Sequence, residues 1–592
     1  MTFTPQAPPA ARVPAATPAR SRMAPNGPRA AVALGLVVLA VLVALPLLAV
    51  VAQAVLPHLF GRHPSIAFDA SALRRVLTTH FYFHMLADSA LLGAGAAVAA
   101  TAVGGTLAVL AGRTDLPGRG LWTALTWGNL LMPSFLVAEG WMFFLQPEGL
   151  LSRVVHEPAW LQNAFSSPWG VGAIFVLKFY PFAFLTVGTA LPWIGGEQEA
   201  VARTLGAGRL AVWRRVYLPL LLPFLLSAAA IVFAEVLSDF GVAITVAESQ
   251  HFPLLTYGIY SALYELPTDF GGAGAMSLLL TLAVAAALAA QTLLLRGRRY
   301  ATIHAGFRPA EPIRLGRARL PMLLGVMLFF AVALGFPAVS VVAESFFKQA
   351  AGYTVGGGGL TLAHYVALAG TAGREAWGAF LYSLRLAAAT ATATVLFGTL
   401  LAYLATESGG RVEHLLQGLS LWTISVPGII LASGYVFFWN QPWLAHAHVD
   451  LYGTLWALGL SYVAWGVPYV LRVQSAAMGQ LDRRLVAAGR VLGAGGARLF
   501  VRIVAPLLGE GWVSLWLFLL VGTVFELANS QFLYPPGHPP LAVEINRLFD
   551  LSHFGQATAL SVAAGAVLIA VALAVRALLR GGLGPRNSAG RV

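Results

Sequence analysis

Apolar segments of about 20 residues recur along the whole chain, and they decide its fold class. Each is long enough to cross the ~30 Å hydrocarbon core of a bilayer as a helix. Only 10% of the 592 residues are charged and 58% are hydrophobic, whereas ordinary soluble domains carry about 25% charged residues. Alternating strands of ~10 residues, typical of a membrane β-barrel, are not seen. The sequence therefore predicts an all-α polytopic membrane protein embedded in a lipid bilayer.

Twelve transmembrane spans are predicted and are numbered here in chain order. Residues 1–29 are rich in Pro, Ala and Arg and are predicted to be a disordered tail. The apolar run that follows is too long for the h-region of a cleaved signal peptide. The spans are 30–56, 87–111, 121–145, 168–193, 219–247, 271–295, 320–346, 379–405, 415–440, 452–476, 507–532 and 556–579.

The basic residues fix the predicted orientation. With the N-terminus in the cytoplasm, Lys and Arg in the inside loops outnumber those in the outside loops by about four to one, as the positive-inside rule requires. Both termini are therefore predicted to be cytoplasmic. This distribution accounts for the net charge of +13 without a nucleic-acid partner. The chain has no Cys, which excludes disulfides, Cys-based zinc sites and thiol catalysis.

The chain contains two copies of a six-span unit. Matches at nearly constant offsets indicate duplication. Because six is even, both copies enter the membrane in the same orientation, with a pseudo-two-fold axis along the membrane normal and a shared pathway between them. The predicted divisions are a first half at 30–295, a basic cytoplasmic linker at 296–319, a second half at 320–580 and a tail at 581–592. Matched pairs are Ser89/Ser383, Gly104/Gly398, Pro133/Pro427, Gly140/Gly434, Arg203/Arg490, Pro219/Pro506 and Asp239/Glu526.

A polar loop also occurs twice, between spans four and five of each unit. The copies are "EAVARTLGAGRLAVWRRVYLPLLLP" and "VAAGRVLGAGGARLFVRIVAPLL". Each is longer than a helix hairpin needs, and its glycines allow the chain to change direction. The proline thirteen residues after the first glycine suits the first turn of the next helix. An interfacial amphipathic helix would explain the arginines but not the duplicated glycine and proline pattern.

These loops resemble the "EAA" loop of the permeases of bacterial ATP-binding-cassette (ABC) importers. The first copy matches in Glu199-Ala200-Val201, Gly206 and Leu218-Pro219. The second has Val486-Ala487-Ala488, Gly493 and Ala505-Pro506, with Val in place of Glu. The resemblance implies the type I importer permease fold and a coupling helix that docks into a cytoplasmic ATPase. The implied coupling residues are Glu199, Ala200, Arg203, Gly206, Ala207, Pro219, Ala487, Ala488, Arg490, Gly493, Ala494 and Pro506.

The fused layout is similar to permeases of ferric-iron importers. The stretches "SDFGVAIT" and "ELANSQFLYPPG" carry this likeness. Permeases for thiamine, aminoethylphosphonate or polyamines remain alternatives within the same class. The resemblance implies a bacterial inner membrane, an extracytoplasmic substrate-binding protein and an ABC ATPase in two copies as partners.

No enzymatic activity is predicted for the chain itself. A P-loop needs a lysine after a glycine-rich loop, and the two lysines stand in "VLKFY" and "FFKQA". Catalytic residues, cofactors and resident metal sites are therefore not expected, and ATP hydrolysis is expected on a separate subunit.

Charged residues at membrane depth are costly and often functional. Glu139, Glu235, Asp239 and Glu526 are candidates for a pathway or gate, with paired structural carboxylates as the alternative for each. Asp239 and Glu526 are repeat-equivalent, so symmetry places both near the axis if either lies there.

Two other classes of protein share some of these sequence features. A secondary transporter of the major-facilitator type also has twelve spans in two parallel repeats, and "GRTDLPGRG" loosely matches its loop signature. Facilitators, however, lack a long loop between spans four and five of each half. A membrane-embedded enzyme would need a clustered His/Asp site, which the sequence lacks.

Overall fold

The computed structural model describes residues 27–60, 65–145, 149–154, 159–193, 196–247, 252–295, 312–350, 353–354, 359–370, 373–408 and 426–582, with 410, 414, 416 and 418. Most of the predicted N-terminal tail, linker and C-terminal tail lies outside these residues, so the division of the chain into these segments stays a prediction. The described residues are overwhelmingly helical. Their only two-stranded sheet is a short antiparallel hairpin of Gln349–Ala350 with Tyr353–Thr354.

Helices of the first half follow the predicted spans closely. Several are joined end to end through π-turns or 3₁₀ turns. Their bounds are Gly27–Leu39, Ala40–Ala44, Leu45–Val55, Pro57–Phe60, Ser71–Thr78, His80–Arg113, Arg119–Leu131, Ser134–Leu145, Leu150–Val154, Ala159–Phe165, Pro168–Ala190, Leu191–Trp193, Gly196–Thr204, Arg209–Val212, Trp213–Tyr217, Leu218–Ser238, Ala243–Ala247, Leu255–Tyr264 and Phe270–Leu295.

Helices of the second half repeat this order. Their bounds are Gly316–Ala318, Arg319–Phe330, Ala331–Gly335, Phe336–Glu344, Ala363–Ala369, Gly373–Ser408, Gly428–Trp439, Pro442–His446, Leu455–Gly479, Arg483–Val491, Gly496–Leu499, Phe500–Val504, Ala505–Leu507, Gly509–Val524, Ala528–Leu533, Leu541–Asp550 and Phe554–Gly582.

Eleven of the twelve predicted spans correspond to a helix or a bent helix pair, and most of the first part of span 9, before residue 426, lies outside the described residues. Among the described residues, eight helices are long and apolar enough to cross a membrane, or up to ten if each of two pairs bent by more than 40° is one span. The bent pairs belong to spans 3 and 11. Span 9 contains the shorter apolar helix Gly428–Trp439, and span 10 is the more polar helix Leu455–Gly479.

Within each half, the second span packs against the fourth and the fifth. Glycine permits the closest of these contacts. An ideal Cβ on Gly104 would lie 2.3 Å from the Tyr180 carbonyl oxygen, and one on Gly398 would lie 2.8 Å from Val470 Cβ. The repeat therefore extends from sequence to helix packing.

The first span of each half crosses to the opposite half. Span 1 packs against span 9, and span 7 packs against span 3. At these crossings an ideal Cβ on Gly434 would lie 2.5 Å from the Pro46 carbonyl oxygen, and one on Gly140 would lie 2.4 Å from that of Pro337. Tyr435 also donates a hydrogen bond to the Leu42 carbonyl at 2.9 Å. The two halves thus exchange equivalent helices, and one buried apolar cluster includes residues of both.

Each crossing helix contains the same local irregularity. A five-residue π-turn, Ala40–Ala44 or Ala331–Gly335, precedes the proline at the crossing. Proline lacks an N–H and clashes with the carbonyl one turn back in a regular helix, so a widened turn relieves the conflict.

Candidate functional site

The two repeated polar loops follow the same backbone course. A nine-residue helix, Gly196–Thr204 or Arg483–Val491, ends at a glycine with positive φ, +80° at Gly206 and +79° at Gly493. This left-handed conformation strongly favours glycine at a helix C-terminus. The same turn hydrogen bonds follow in both copies. They are Gly206 N–H to Arg203 O (2.9 Å), Ala207 N–H to Ala202 O (3.0 Å), Gly493 N–H to Arg490 O (3.0 Å) and Ala494 N–H to Gly489 O (3.0 Å).

A second short helix leads from each loop into the membrane. It begins after the glycine pair and passes through a π-turn, Trp213–Tyr217 or Phe500–Val504, into the next helix. Pro219 and Pro506 stand in the first turn after the π-turn, as the sequence predicts. Each loop is therefore a pair of short helices joined at a sharp turn.

Large apolar side chains are exposed at the turn of both loops. Leu205 is 82% exposed, and its repeat-equivalent Leu492 is 86% exposed. Val201 and Leu210 are also exposed near the first turn, and Val491 is exposed beside the second. Clustered exposed apolar side chains of this kind can mark a surface that another protein covers.

Glu199 is held at the base of the first loop by three side chains. One carboxylate oxygen accepts hydrogen bonds from Arg113 (3.0 Å) and from the Tyr217 hydroxyl (2.5 Å), and the other accepts one from Arg203 (2.5 Å). Arg113 also donates to the Tyr217 hydroxyl. Arg113 is the last residue of span 2, so this cluster ties the loop to that helix.

The second loop has a different ion pair at the corresponding place. Arg490 forms an ion pair with Glu407, near the end of span 8. Sequence reasoning missed Arg113 and Glu407, which lie outside the loops. The sequence does show that Arg113 and Glu407 are repeat-equivalent, because they stand 294 residues apart, the offset that relates spans 2 and 8.

The other predicted coupling residues lie on the helices and turns of the two loops. Ala200 is exposed, whereas Ala207 and Ala494 are half-buried. Ala487 and Ala488 lie on the helix Arg483–Val491.

Asp239 and Glu526 occupy equivalent breaks in spans 5 and 11. Asp239 follows the helix that ends at Ser238, and its carboxylate accepts the Val242 N–H at 2.7 Å. The Glu526 carboxylate accepts the N–H groups of Asn529 (2.8 Å) and Ser530 (3.0 Å). Both carboxylates therefore cap the helical turn that follows the break.

The breaks lie against the prolines of spans 3 and 9. An ideal Cβ on Gly241 would lie 2.5 Å from the Ser134 hydroxyl, just after Pro133. Gly428, just after Pro427, approaches Asn529 with an ideal Cβ at 3.9 Å from its side chain. Each half thus places a proline and a break side by side.

Aromatic rings join the two halves near these breaks. Phe532 of the second half contacts Phe240, Tyr260 and Tyr264 of the first, with ring centroids 5.5 to 6.1 Å apart. Tyr264 also donates a hydrogen bond to the Gln531 carbonyl. The cluster closes the boundary between the halves at this level.

The remaining predicted carboxylates differ in environment. Glu139 is 2% exposed, and one of its oxygens has no hydrogen-bond partner among the described residues. Glu235 is half-buried, one helical turn before Asp239. No group of three or more His, Cys, Asp or Glu in the described part of the chain is arranged to hold a metal ion.

Lys178 stabilises the bend in span 3. Its ammonium group is buried and donates to three backbone carbonyls at the end of the helix Arg119–Leu131: Asn129 O (2.9 Å), Leu130 O (3.1 Å) and Met132 O (2.6 Å). A cation is favourable at a helix C-terminus, where carbonyls lack partners.

Comparison with known proteins matches both halves to one family. The model of the "Binding-protein-dependent transport system inner membrane component" family matches residues 104–300 and again 394–588. The chain is 25% identical over 522 residues to the ferric transport system permease protein FbpB of Actinobacillus pleuropneumoniae, covering 86% of this chain and 72% of that protein.

A second relative covers a smaller part of the chain. It is the molybdenum transport system permease protein ModB of Escherichia coli K12, 30% identical over 176 residues, which cover 30% of this chain and 76% of that protein. Since the family model accounts for most of the chain in two successive copies, the chain belongs to the family of binding-protein-dependent transport system inner membrane components.

Proposed function

We propose that this protein is the fused permease subunit of an ABC importer for ferric iron. The observation that carries the substrate is the similarity to a ferric transport system permease across both halves. The molybdenum system relative aligns with 30% of the chain, whereas the ferric relative matches it across both halves. Ferric iron is here the transported solute.

The two polar loops are proposed to dock one ABC ATPase each, so that two copies bind per chain. The equivalent exposed leucines Leu205 and Leu492 support this assignment, because each is presented by the same two-helix turn. The loops and both termini would face the cytoplasm, in accord with the basic residues. A loaded binding protein would dock on the opposite face, on loops such as 57–86, 347–378 and 533–555.

The translocation pathway is proposed to run along the boundary between the halves. Phe240, Tyr260, Tyr264 and Phe532 would form the closed gate, and the paired prolines and breaks would allow it to open. Movement of the two ATPases would rock the halves about the shared axis, in the manner of other domain rearrangements.

Neutral variants of Asp239 and Glu526 test whether the charge of these carboxylates matters apart from their capping role. Asp239→Asn retains an acceptor oxygen for the Val242 N–H, so folding should be preserved. Glu526→Gln retains an acceptor for one of the two N–H groups that bond to separate oxygens of Glu526, so a modest loss of stability is expected there. If these carboxylates act on a passing cation, ferric uptake should fall by about tenfold, because a lost charge interaction of ~1.4 kcal/mol has that effect. Wild-type uptake in both variants would assign them a capping role alone. Thermal unfolding in detergent provides the folding control.

Uptake by reconstituted vesicles tests the proposed substrate. The chain is reconstituted with the ATPase and binding protein of its own system, and radiolabelled ferric iron is supplied on the binding protein. We expect ATP-dependent accumulation that vesicles lacking the ATPase do not show. Molybdate and thiamine serve as alternative solutes. Accumulation of one of these in place of iron would refute the substrate while leaving the permease role intact.

A further inference from the structure

The ion pair at the base of the first loop joins two separate parts of that half. Arg113 ends span 2 and is 5% exposed, and the Glu199 side chain is 12% exposed at 3.0 Å from it. Tyr217, on the π-turn, adds its hydroxyl to the same carboxylate oxygen. Span 2 therefore contributes the cation, and the loop contributes the carboxylate and the tyrosine.

In the second half these groups stand on opposite sides. Val486 takes the place of Glu199, whereas Glu407 stands on span 8 where Arg113 stands on span 2. Arg490 is retained in the loop and pairs with Glu407.

A tyrosine of span 8 gives the second loop a further contact. Tyr403 donates to the Gly496 carbonyl at 3.2 Å, and its ring lies 4.9 Å from that of Phe500. Val504 stands at the place of Tyr217 in the loop. Span 8 thus contributes the carboxylate of the ion pair, and the loop contributes the cation.

We infer that Arg113 and Glu407 are positioning residues that fix each coupling loop to the second span of its own half, through anchors of opposite polarity. The inference rests on the proposed function, in which the loops transmit ATPase movement. A loop can move its half only if it is attached to it firmly. The loss of the loop glutamate in the second copy therefore leaves that loop anchored, because the carboxylate has moved to the adjoining helix.

Charge exchange within the second anchor is the decisive test, since that anchor is a simple pair. In the complete transporter, Glu407→Arg sets two arginines against each other and should lower substrate uptake by about fivefold to tenfold, because an attractive pair at a partly exposed site becomes a repulsive one. The ATPase should still co-purify, but its hydrolysis should no longer rise when loaded binding protein is added. Combining Glu407→Arg with Arg490→Glu should restore uptake to within about threefold of wild type, as expected for directly coupled residues.

A transplant gives a second, independent rescue. Glu407→Arg with Val486→Glu reproduces the cation and carboxylate positions of the first half and should also recover uptake. If Glu407→Arg does not yield folded protein, Glu407→Gln is the milder variant, with the same loss of stimulated hydrolysis expected.

The outcomes distinguish this inference from the proposed function. Wild-type coupling in Glu407→Arg and Glu407→Gln, or double variants no better than the single ones, would overturn the anchors alone. Absence of any ATPase from the wild-type complex would refute the proposed function itself.

Discussion

Replacing Gly206 or Gly493 with valine should lower transport by about tenfold or more, whereas the same change at Gly208 or Gly495 should have little effect. The first two glycines have φ near +80°, a conformation that costs an L-residue about 1–2 kcal/mol and a β-branched residue more. A penalty of ~1.4 kcal/mol corresponds to about a tenfold change in an equilibrium. The loop would then lose the turn that presents Leu205 or Leu492.

The four positions form a matched set. An ideal Cβ at each meets nothing within 4 Å, so the four positions are equally open to a Cβ. Gly208 and Gly495 lack a positive φ, and Gly495 has φ −69°, which any residue adopts. The backbone conformation separates test from control, and valine at Gly495 carries in addition the smaller cost of an unfavourable N-cap residue.

Co-purification of the ATPase and uptake into vesicles are the measurements. Asparagine at Gly206 or Gly493 should retain more activity than valine, because it tolerates the left-handed conformation. Equal losses at all four glycines, or no loss at Gly206 and Gly493, would contradict the coupling role of the turn.

Adding a single methyl group at Gly140 or Gly434 should destabilise the protein markedly. In each variant the new Cβ would lie within about 2.5 Å of a proline carbonyl oxygen on the crossing helix, and backbone atoms cannot rotate away. Overpacking of this kind costs about 1–3 kcal/mol. Gly140→Ala and Gly434→Ala should therefore lower the thermal unfolding midpoint in detergent and the monodisperse fraction.

Two helical glycines in open surroundings are the controls. An ideal Cβ on Gly95 or Gly378 meets nothing within 4 Å. Because alanine favours a helix over glycine by about 0.5–1 kcal/mol, these variants should be as stable as wild type or slightly more so. A similar midpoint for Gly140→Ala and Gly95→Ala would show that the crossing tolerates a side chain.

Local and repeated features were predictable from the sequence. Hydropathy locates the spans, and the constant offsets pair Gly140 with Gly434 and Asp239 with Glu526. The turn at Gly206 follows from its position after a short helical segment. Each of these depends on residues that are neighbours in the chain or in the repeat.

Contacts between residues far apart in the chain were not predictable in the same way. A glycine and a proline at matching positions do not reveal which half a helix will pack against, so the crossing of spans 1 and 7 was missed. The breaks at Asp239 and Glu526 lie inside apolar runs, where hydropathy continues without interruption. The Arg113–Glu199 contact joins residues 86 positions apart, and one sequence alone does not pair them.

Because the first spans cross over, the two halves of the sequence do not coincide with the two groups of helices that pack together. Span 1 lies against span 9 at Pro46, and span 7 lies against span 3 at Pro337. Cutting the chain between residues 296 and 311 would leave two fragments. The first span of each fragment would still be packed against the other fragment. The fragments could part only after both helices had been withdrawn from the opposite half.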